Sequence, residues 1–439
     1  MGNRENHSGR CTVSSDWHGE ARSHLDQWRP YNQRHRPIAK ACKSNASIDV
    51  RNGHTDTDLQ KLPLHNELRM KYEYNNIMYT AVAHAVECTL DQPYKILLKE
   101  HIFDPLRMHN TVYTVVDAVT MAEQDANITF ADGFWWNSTS QEFEQVPLSD
   151  IAPSKGSGGM ISNVLDYSRW VRHLMQPTDL NPALSHNTVK EMRTPRTVIE
   201  PSKLKPYVGP QAYGLGLYCQ VYRDREIIQH AGASPGHMSL MMTVPPNPTE
   251  DPNSGWAVVI MQNTWSLAMD IVAWYLLDRF LGTPKDERHD MAGAARKAQE
   301  EKSSMLESEN VISRLYGFLK LDRSIQPSLP LDRLNGTYRH IAYHEFKVSE
   351  TRLPGRNDSE VILLLQPSGL RKTYYSLTAT LHHVSGEYWW AHRRIGPGNW
   401  LTDEALKVFF VVGSDGVQGM KFQAEPSMPD HLLFFEKVA

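Results

Sequence analysis

Cysteine is scarce in this chain, and long apolar runs are missing. Four cysteines stand among 439 residues, Cys11, Cys42, Cys88 and Cys219, and no two form a Cys-x-x-Cys pair. That spacing excludes a zinc ribbon and a dithiol redox motif; the four read as free thiols, with a Cys11–Cys42 pairing left open. No stretch is apolar over the ~18 residues that a membrane-crossing helix needs, so no membrane span is expected. The first residues, Met1-Gly2-Asn3-Arg4-Glu5-Asn6-His7, lack the apolar core of a signal peptide, and Asn6 stands where a myristoylation motif requires Ser or Thr. Six Asn-x-Ser/Thr sequons, at Asn6, Asn45, Asn127, Asn137, Asn335 and Asn357, would matter only in an exported protein. The default expectation is a cytoplasmic location. Charge of one sign is also lacking: 46 Lys and Arg against 50 Asp and Glu give a formal net charge of −4. Such a balance points to no nucleic-acid partner and to no anionic membrane surface.

What is present is enough apolar residue, 40% of the chain, for more than one core. Residues 1–60 lack periodicity and are rich in Arg, His, Gln and Asn around the breakers Pro30 and Pro37, which predicts an irregular or disordered arm. Residues 61–282 alternate helices with strands. Ile77, Ala81, Ala85 and Cys88 recur at helical spacing and predict a helix over 76–90. Asp91 is expected to cap the next helix, with Pro93 near its first turn. The stretch 117–149 reads as loop. Ser162 is expected to cap a helix carrying Val164, Leu165, Val171 and Leu174. Strand patterns follow over 213–219, 226–229, 238–244 and 256–261, joined by links short enough for an antiparallel sheet. A helix over 267–281 should pack on that sheet through Ile271, Trp274, Leu277 and Leu281. Residues 283–330 are charged and read as a helical linker. Residues 331–439 break into short alternating segments separated by Gly and Asn turns, the pattern of a small lipocalin-like β-barrel.

Two polar runs carry the chemistry. In Lys71-Tyr72-Glu73-Tyr74-Asn75-Asn76, a Tyr-x-Asn spacing falls at the mouth of the first helix. A phenol near pKa 10 becomes a usable proton acceptor when cations lower it, and a neighbouring amide can both donate to and accept from a substrate amide. In His230-Ala231-Gly232-Ala233-Ser234-Pro235-Gly236, a histidine ends a strand and small residues follow, which lets a ligand approach the strand edge. The run Ile151 to Met160 is glycine-rich, but it lacks the terminal Gly-Lys-Ser/Thr of a phosphate loop and reads as a tight turn. His382 and His383 are adjacent, so they point to opposite faces of a strand and cannot chelate together. No metal or cofactor is expected.

The order of these landmarks resembles the serine β-lactamase-like family, which includes class C β-lactamases, D-Ala-D-Ala peptidases and related esterases. Tyr74-Asn75-Asn76, Phe103-Asp104-Pro105-Leu106, Ser157-Gly158-Gly159-Met160, Tyr213-Gly214-Leu215-Gly216 and His230-Ala231-Gly232 look like its successive motifs. The resemblance implies an α+β fold: a β-lactamase/transpeptidase-like domain, an antiparallel sheet with helices, plus a C-terminal small all-β barrel. It implies Tyr74 and His230 as catalytic residues, and Asn76, Gly232, Ser234 and Gly236 as substrate-binding ones. The ligand would be a small peptide, amide or ester, and the reaction acyl transfer. The family's nucleophile is the serine of a Ser-x-x-Lys at a helix start, and none precedes Tyr74. The one that exists, Ser202-Lys203-Leu204-Lys205, lies between Pro201 and Pro206 and cannot begin a buried helix. The domain is therefore expected to be incomplete and inactive as encoded, or a non-catalytic ligand-binding pseudoenzyme. Neither reading fixes the oligomeric state. Loss of the nucleophile segment should also leave an open sheet edge and bare apolar helix faces.

Overall fold

Helix α1 runs Asn76–Leu90, the span its apolar spacing predicts. Asn75 caps it, its side-chain oxygen accepting the Met78 N–H at 3.0 Å, which satisfies an amide the first turn leaves bare. The computed structural model describes residues 66–67, 69–137, 140–146, 156–200, 205–247, 254–306, 308–319, 324–352, 361–368, 377–395, 404–425, 428 and 431–439. The arm expected over 1–60 lies outside them.

Asp91 does not open the second helix. It closes α1 in the left-handed region at φ 52, and Glu87 on α1 instead accepts the Tyr94 N–H at 2.7 Å. Helix α2, Tyr94–Leu98, continues into a π turn over Lys99–Phe103 and buries Leu97, Leu98 and Phe103. The stretch 117–149 is not all loop. It holds the end of α3 (Val115–Gln124) and the hairpin β1 (Gly133–Asn137) and β2 (Glu142–Val146). Thr114 caps α3, its hydroxyl oxygen accepting the Asp117 N–H at 3.0 Å and donating to the Asp117 carboxylate at 2.7 Å. This reciprocal Thr-x-x-Asp pair is a helix start the reading passed over. Helix α4, Val164–Met175, is capped by Asn163, not Ser162. The Ser162 hydroxyl bonds the Thr111 hydroxyl at 2.7 Å and is occupied there. Helix α5 follows at His186–Arg193.

The sheet holds β3 (Thr197–Ile199), β4 (Gln211–Tyr213), β5 (Tyr218–Tyr222), β6 (Arg225–Ser234), β7 (His237–Val244) and β8 (Trp256–Gln262), antiparallel and in chain order. The strand expected over 213–219 is split. Gly216 takes φ +77 in the turn, and a Cβ on Gly214 would sit 2.2 Å from the Met192 carbonyl, so the backbone folds back there. Side chains alternate across the sheet. Ile227, Leu240 and Met242 face α6 (Ala268–Phe280) through Ala273, Trp274 and Leu277, while Ile228 and Met241 face α4 through Val171 and Leu174. Ile271 is 36% exposed, because at 100° per residue it falls beside the Met269–Ala273–Trp274–Leu277 stripe. The outer face of α6 leaves Val272, Tyr275 and Leu276 exposed, and β8 is the end strand among the described residues.

Among the described cysteines Cys219 is a buried free thiol, whereas Cys88 is disulfide-bonded. The reading of four free thiols fails at Cys88. No helix of the described residues is long and apolar enough to cross a membrane.

Helix α7 (Met291–Met305) buries Met291 against α6. Helix α8 (Ser308–Tyr316) belongs to the other side, packing Val311 and Tyr316 on Val384, Trp390 and Ala405. There the strands β9 (Gly336–His340), β10 (His344–Arg352), β11 (Val361–Pro367), β12 (Leu377–Ser385), β13 (Tyr388–Ile395), β14 (Glu404–Gly413), β15 (Gly416–Phe422) and β16 (Leu433–Lys437) close into an antiparallel up-and-down barrel. Closure removes the edges an open sheet would expose. Its interior is filled by side chains, including Tyr338, Phe410, Phe422 and Phe435. The Tyr316 hydroxyl enters the ladder between β13 and β14. It donates to the Trp389 carbonyl at 2.6 Å, accepts the Val408 N–H at 2.9 Å, and lies 3.1 Å from the Val408 carbonyl.

Candidate acyl-binding site

Strand β6 is paired unequally. Its ladder with β5 ends at Gln229, opposite Tyr218, while its ladder with β7 continues to Ser234, opposite His237. From His230 to Ser234 the strand therefore has no ladder partner on the β5 side among the described residues. That is the edge along which an extended ligand could add its own backbone. Small residues keep it flat: a Cβ on Gly232 would come 2.6 Å from the Ser239 hydroxyl. The hairpin turn Pro235-Gly236 needs φ +68 at Gly236, the positive φ of a type II turn. A Cβ there would strike Gly133 at 2.6 Å, so the turn lies directly on β1. His237 ties the two together, its ring nitrogens 2.8 Å from the Ala131 carbonyl and 3.0 Å from the Pro235 carbonyl.

Tyr74 enters from the other side. It sits just before α1, half exposed, and its ring lies 6.2 Å from the His230 ring, tilted by 30°. The same ring meets Tyr213 edge-on at 6.2 Å. Asn76 begins α1 two residues later and is half-buried, its carbonyl accepting the Thr80 hydroxyl at 3.2 Å. Tyr74, Asn76 and His230 thus share one region. Ser234 and Gly236 lie further along, at the β6–β7 turn against β1. The glycine-rich turn closes on α1 from a third direction: a Cβ on Gly156 would lie 2.3 Å from the Thr80 Cα and 2.5 Å from the Tyr79 carbonyl.

The sequence reading missed a group of phenols. Tyr213 on β4 and Tyr218 on β5 flank His230, and the Tyr213 hydroxyl lies 3.0 Å from His230 Nε2. His230 Nδ1 lies 2.7 Å from the Ala231 carbonyl. A carbonyl only accepts, so the proton sits on Nδ1 and Tyr213 donates to Nε2. Tyr72 bonds the Tyr218 hydroxyl at 3.1 Å, and its ring lies 5.3 Å from that of Tyr213, tilted by 49°. Burial lowers the His230 pKa, the bond to Ala231 opposing it in part. Burial pushes the Tyr213 phenol far up, with Tyr79 and Tyr74 adding to it; burial and the Tyr218 bond do the same for Tyr72. The ring neighbours of Tyr74 include a phenol, Tyr213, and the neutral imidazole of His230. The signal was the density of tyrosine near both motifs, at 72, 74, 79, 213 and 218.

Ser202 lies outside the described residues. Lys205 of the same Ser-x-x-Lys pairs with Asp270 on α6 at 2.8 Å, both largely buried, which gives that lysine a structural task. No group of three or more His, Cys, Asp or Glu that could hold a metal occurs among the described residues. His382 stacks on Trp390 at 4.3 Å, and His383 meets Trp389 at 4.9 Å.

Unguisins hydrolase of Aspergillus violaceofuscus is 28% identical over 348 residues, 76% of this chain and 58% of the relative. Its counterpart in Aspergillus campestris is 27% identical over 285 residues, 64% of this chain and 49% of that protein. The chain spans about half the length of the curated relatives it matches. Among solved structures, the octameric penicillin-binding protein homologue of Pyrococcus abyssi covers 91% of this chain and 73% of its own at 14% identity and a TM-score of 0.46. The D-amino acid amidase of Ochrobactrum anthropi SV3 covers 48% and 57% at 21% identity and a TM-score of 0.33. The Beta-lactamase family profile matches residues 12–281, more than half of the 439, and takes in every strand and helix that builds the site. By that match, the chain belongs to the serine β-lactamase and penicillin-binding-protein-like family.

Proposed function

We propose that residues 61–282 form the Tyr-x-Asn and His-x-Gly walls of an acyl pocket for a small peptide, amide or ester, and that these 439 residues bind such a ligand without turning it over. The observation that carries this is the meeting of the Tyr74 and His230 rings, 6.2 Å apart, from segments remote in the chain. In this reading the ligand lies along the β6 edge from His230 to Ser234, backbone N–H groups there hold its carbonyl oxygen, the Asn76 amide orients it, and Gly232 and Gly236 keep the wall low. Tyr74 stands where a proton acceptor for an attacking serine would be needed. That serine has no candidate ahead of Tyr74, since no Ser-x-x-Lys precedes it. The curated relatives are named hydrolases of unguisins, which supports a ligand with a hydrolysable bond.

A fluorophosphonate or fluorescent penicillin probe should leave the protein unlabelled, and stoichiometric labelling at any serine would refute the absence of turnover. Calorimetry with N-acyl amino acid amides tests the binding itself. Asn76→Ala should weaken it about tenfold, the loss of one hydrogen bond to a polar ligand, without altering the circular dichroism. No saturable binding by the folded protein would remove the acyl-pocket reading.

A further inference from the structure

We infer that Tyr213 is a positioning residue for His230, holding it as the neutral Nδ1–H tautomer so that this wall offers the ligand an uncharged imidazole and not a cation. The inference rests on the acyl-pocket reading only for its use; the geometry stands apart from it.

Both ring nitrogens of His230 are taken. Nδ1 donates to the carbonyl of the next residue at 2.7 Å, and Nε2 accepts from Tyr213 at 3.0 Å. The pair fixes the ring's rotation as well as its tautomer, since a flipped ring would set a C–H against each partner. A protonated His230 would carry a second N–H on Nε2. The Tyr213 hydroxyl would then have to turn its own proton away from the ring, toward Tyr79, and give up the bond it donates to Nε2. Among the described residues the titratable groups around His230 are Tyr74 from the segment before α1, Tyr213 from β4 and Tyr218 from β5, with Tyr72 behind them and Tyr79 of α1 bonded to Tyr213; across the β6–β7 ladder it faces Met241. Burial raises the pKa of Tyr213 and of Tyr72, so neither offers an anion that would favour a charged imidazole. Tyr213 itself is fixed at the end of β4, where Gly214 turns the chain against Met192. Its orientation is therefore set by the fold and not by the ligand.

The consequence for ligand class is direct. A carboxylate beside His230 would find no counter-charge in it, whereas an amide or ester loses nothing. The wall suits a neutral acyl group on that side of the pocket.

The test is long-range proton–nitrogen correlation NMR of the full chain labelled at histidine, with His230 assigned by its loss in His230→Asn. The wild type should show a protonated Nδ1 and a lone-pair Nε2 at pH 7. In Tyr213→Phe the lone pair loses its donor, the neutral form loses support, and the titration midpoint of His230 should rise by about one pH unit, the shift a hydrogen bond of ordinary net strength produces. Tyr218→Phe, which keeps the ring beside His230 and removes only a hydroxyl bonded to Tyr72, should leave the midpoint in place. A proton on Nε2, or a charged ring at pH 7, would overturn the inference in the wild type alone, even if Tyr213→Phe fails to fold. So would an unmoved midpoint in folded Tyr213→Phe. Failure of amides to bind would strike the acyl-pocket reading and leave these spectra as they are.

Discussion

Tyr316→Phe removes one oxygen from the seam between α8 and the barrel. In the wild type that oxygen replaces a direct β13–β14 contact: Trp389 and Val408 are ladder partners, yet the carbonyl of one and the N–H of the other reach each other through the phenol, at 2.6 and 2.9 Å. Burial holds the phenol neutral by raising its pKa, so it keeps the proton it donates. Both Val408 and Trp389 are buried, at 0% and 3% exposure, so water does not reach the gap. Phenylalanine leaves the Val408 N–H bare, at about 1–3 kcal/mol, and loses the bond to Trp389, at about 1 kcal/mol. The expected loss is about 2–4 kcal/mol. Urea unfolding of the full chain, extrapolated to water, measures it, and hydrogen exchange at the Val408 amide should quicken in step. A loss under about 0.5 kcal/mol would refute the reasoning. It would mean that β13 and β14 close up and bond directly once the oxygen is gone.

Two further expectations follow from the same kind of contact. Gly156→Ala puts a methyl group into the α1 backbone at Thr80; thermal denaturation should report a loss of about 1–3 kcal/mol, and amide binding should weaken because Asn76 begins that helix and Tyr74 leads into it. Glu425, which accepts the Tyr343 hydroxyl, has its carboxyl raised by burial to about 6. The folded state thus holds its proton more tightly than the unfolded one, so the contribution is complete below the unfolded value near 4.5 and is lost as pH rises through about 6. Glu425→Gln should therefore match the wild type at pH 4 and exceed it at pH 7 by at most ~2 kcal/mol in urea unfolding.

How much of this was legible in the chain depends on distance along it. Helix α1 was readable because Ile77, Ala81, Ala85 and Cys88 repeat within one segment and the helix ends where they end. Strands β7 and β8 and helix α6 were readable for the same reason. Helix α3 was missed although Thr114 and Asp117 spell its start, and the β1–β2 hairpin was missed because five residues per strand give alternation little room. Asp91 shows the limit of cap reading: the same residue can open or close a helix, and its φ decides. At the site, the two motifs stood out as polar islands. The Tyr213–His230 bond could not be read, because the Tyr-Gly-Leu-Gly run looks like continuous strand, and only the turn at Gly214 to Leu217 brings that phenol level with the imidazole.

The packing of α7 and α8 on opposite neighbours decides where the polypeptide can be divided. A fragment opening at 331 would contain all eight staves of the barrel and still leave behind Val311 and the phenol spliced between two of them. One opening at 308 would carry its own fastening. Cut points chosen by strand content alone would make the barrel look weaker than it is in the intact chain.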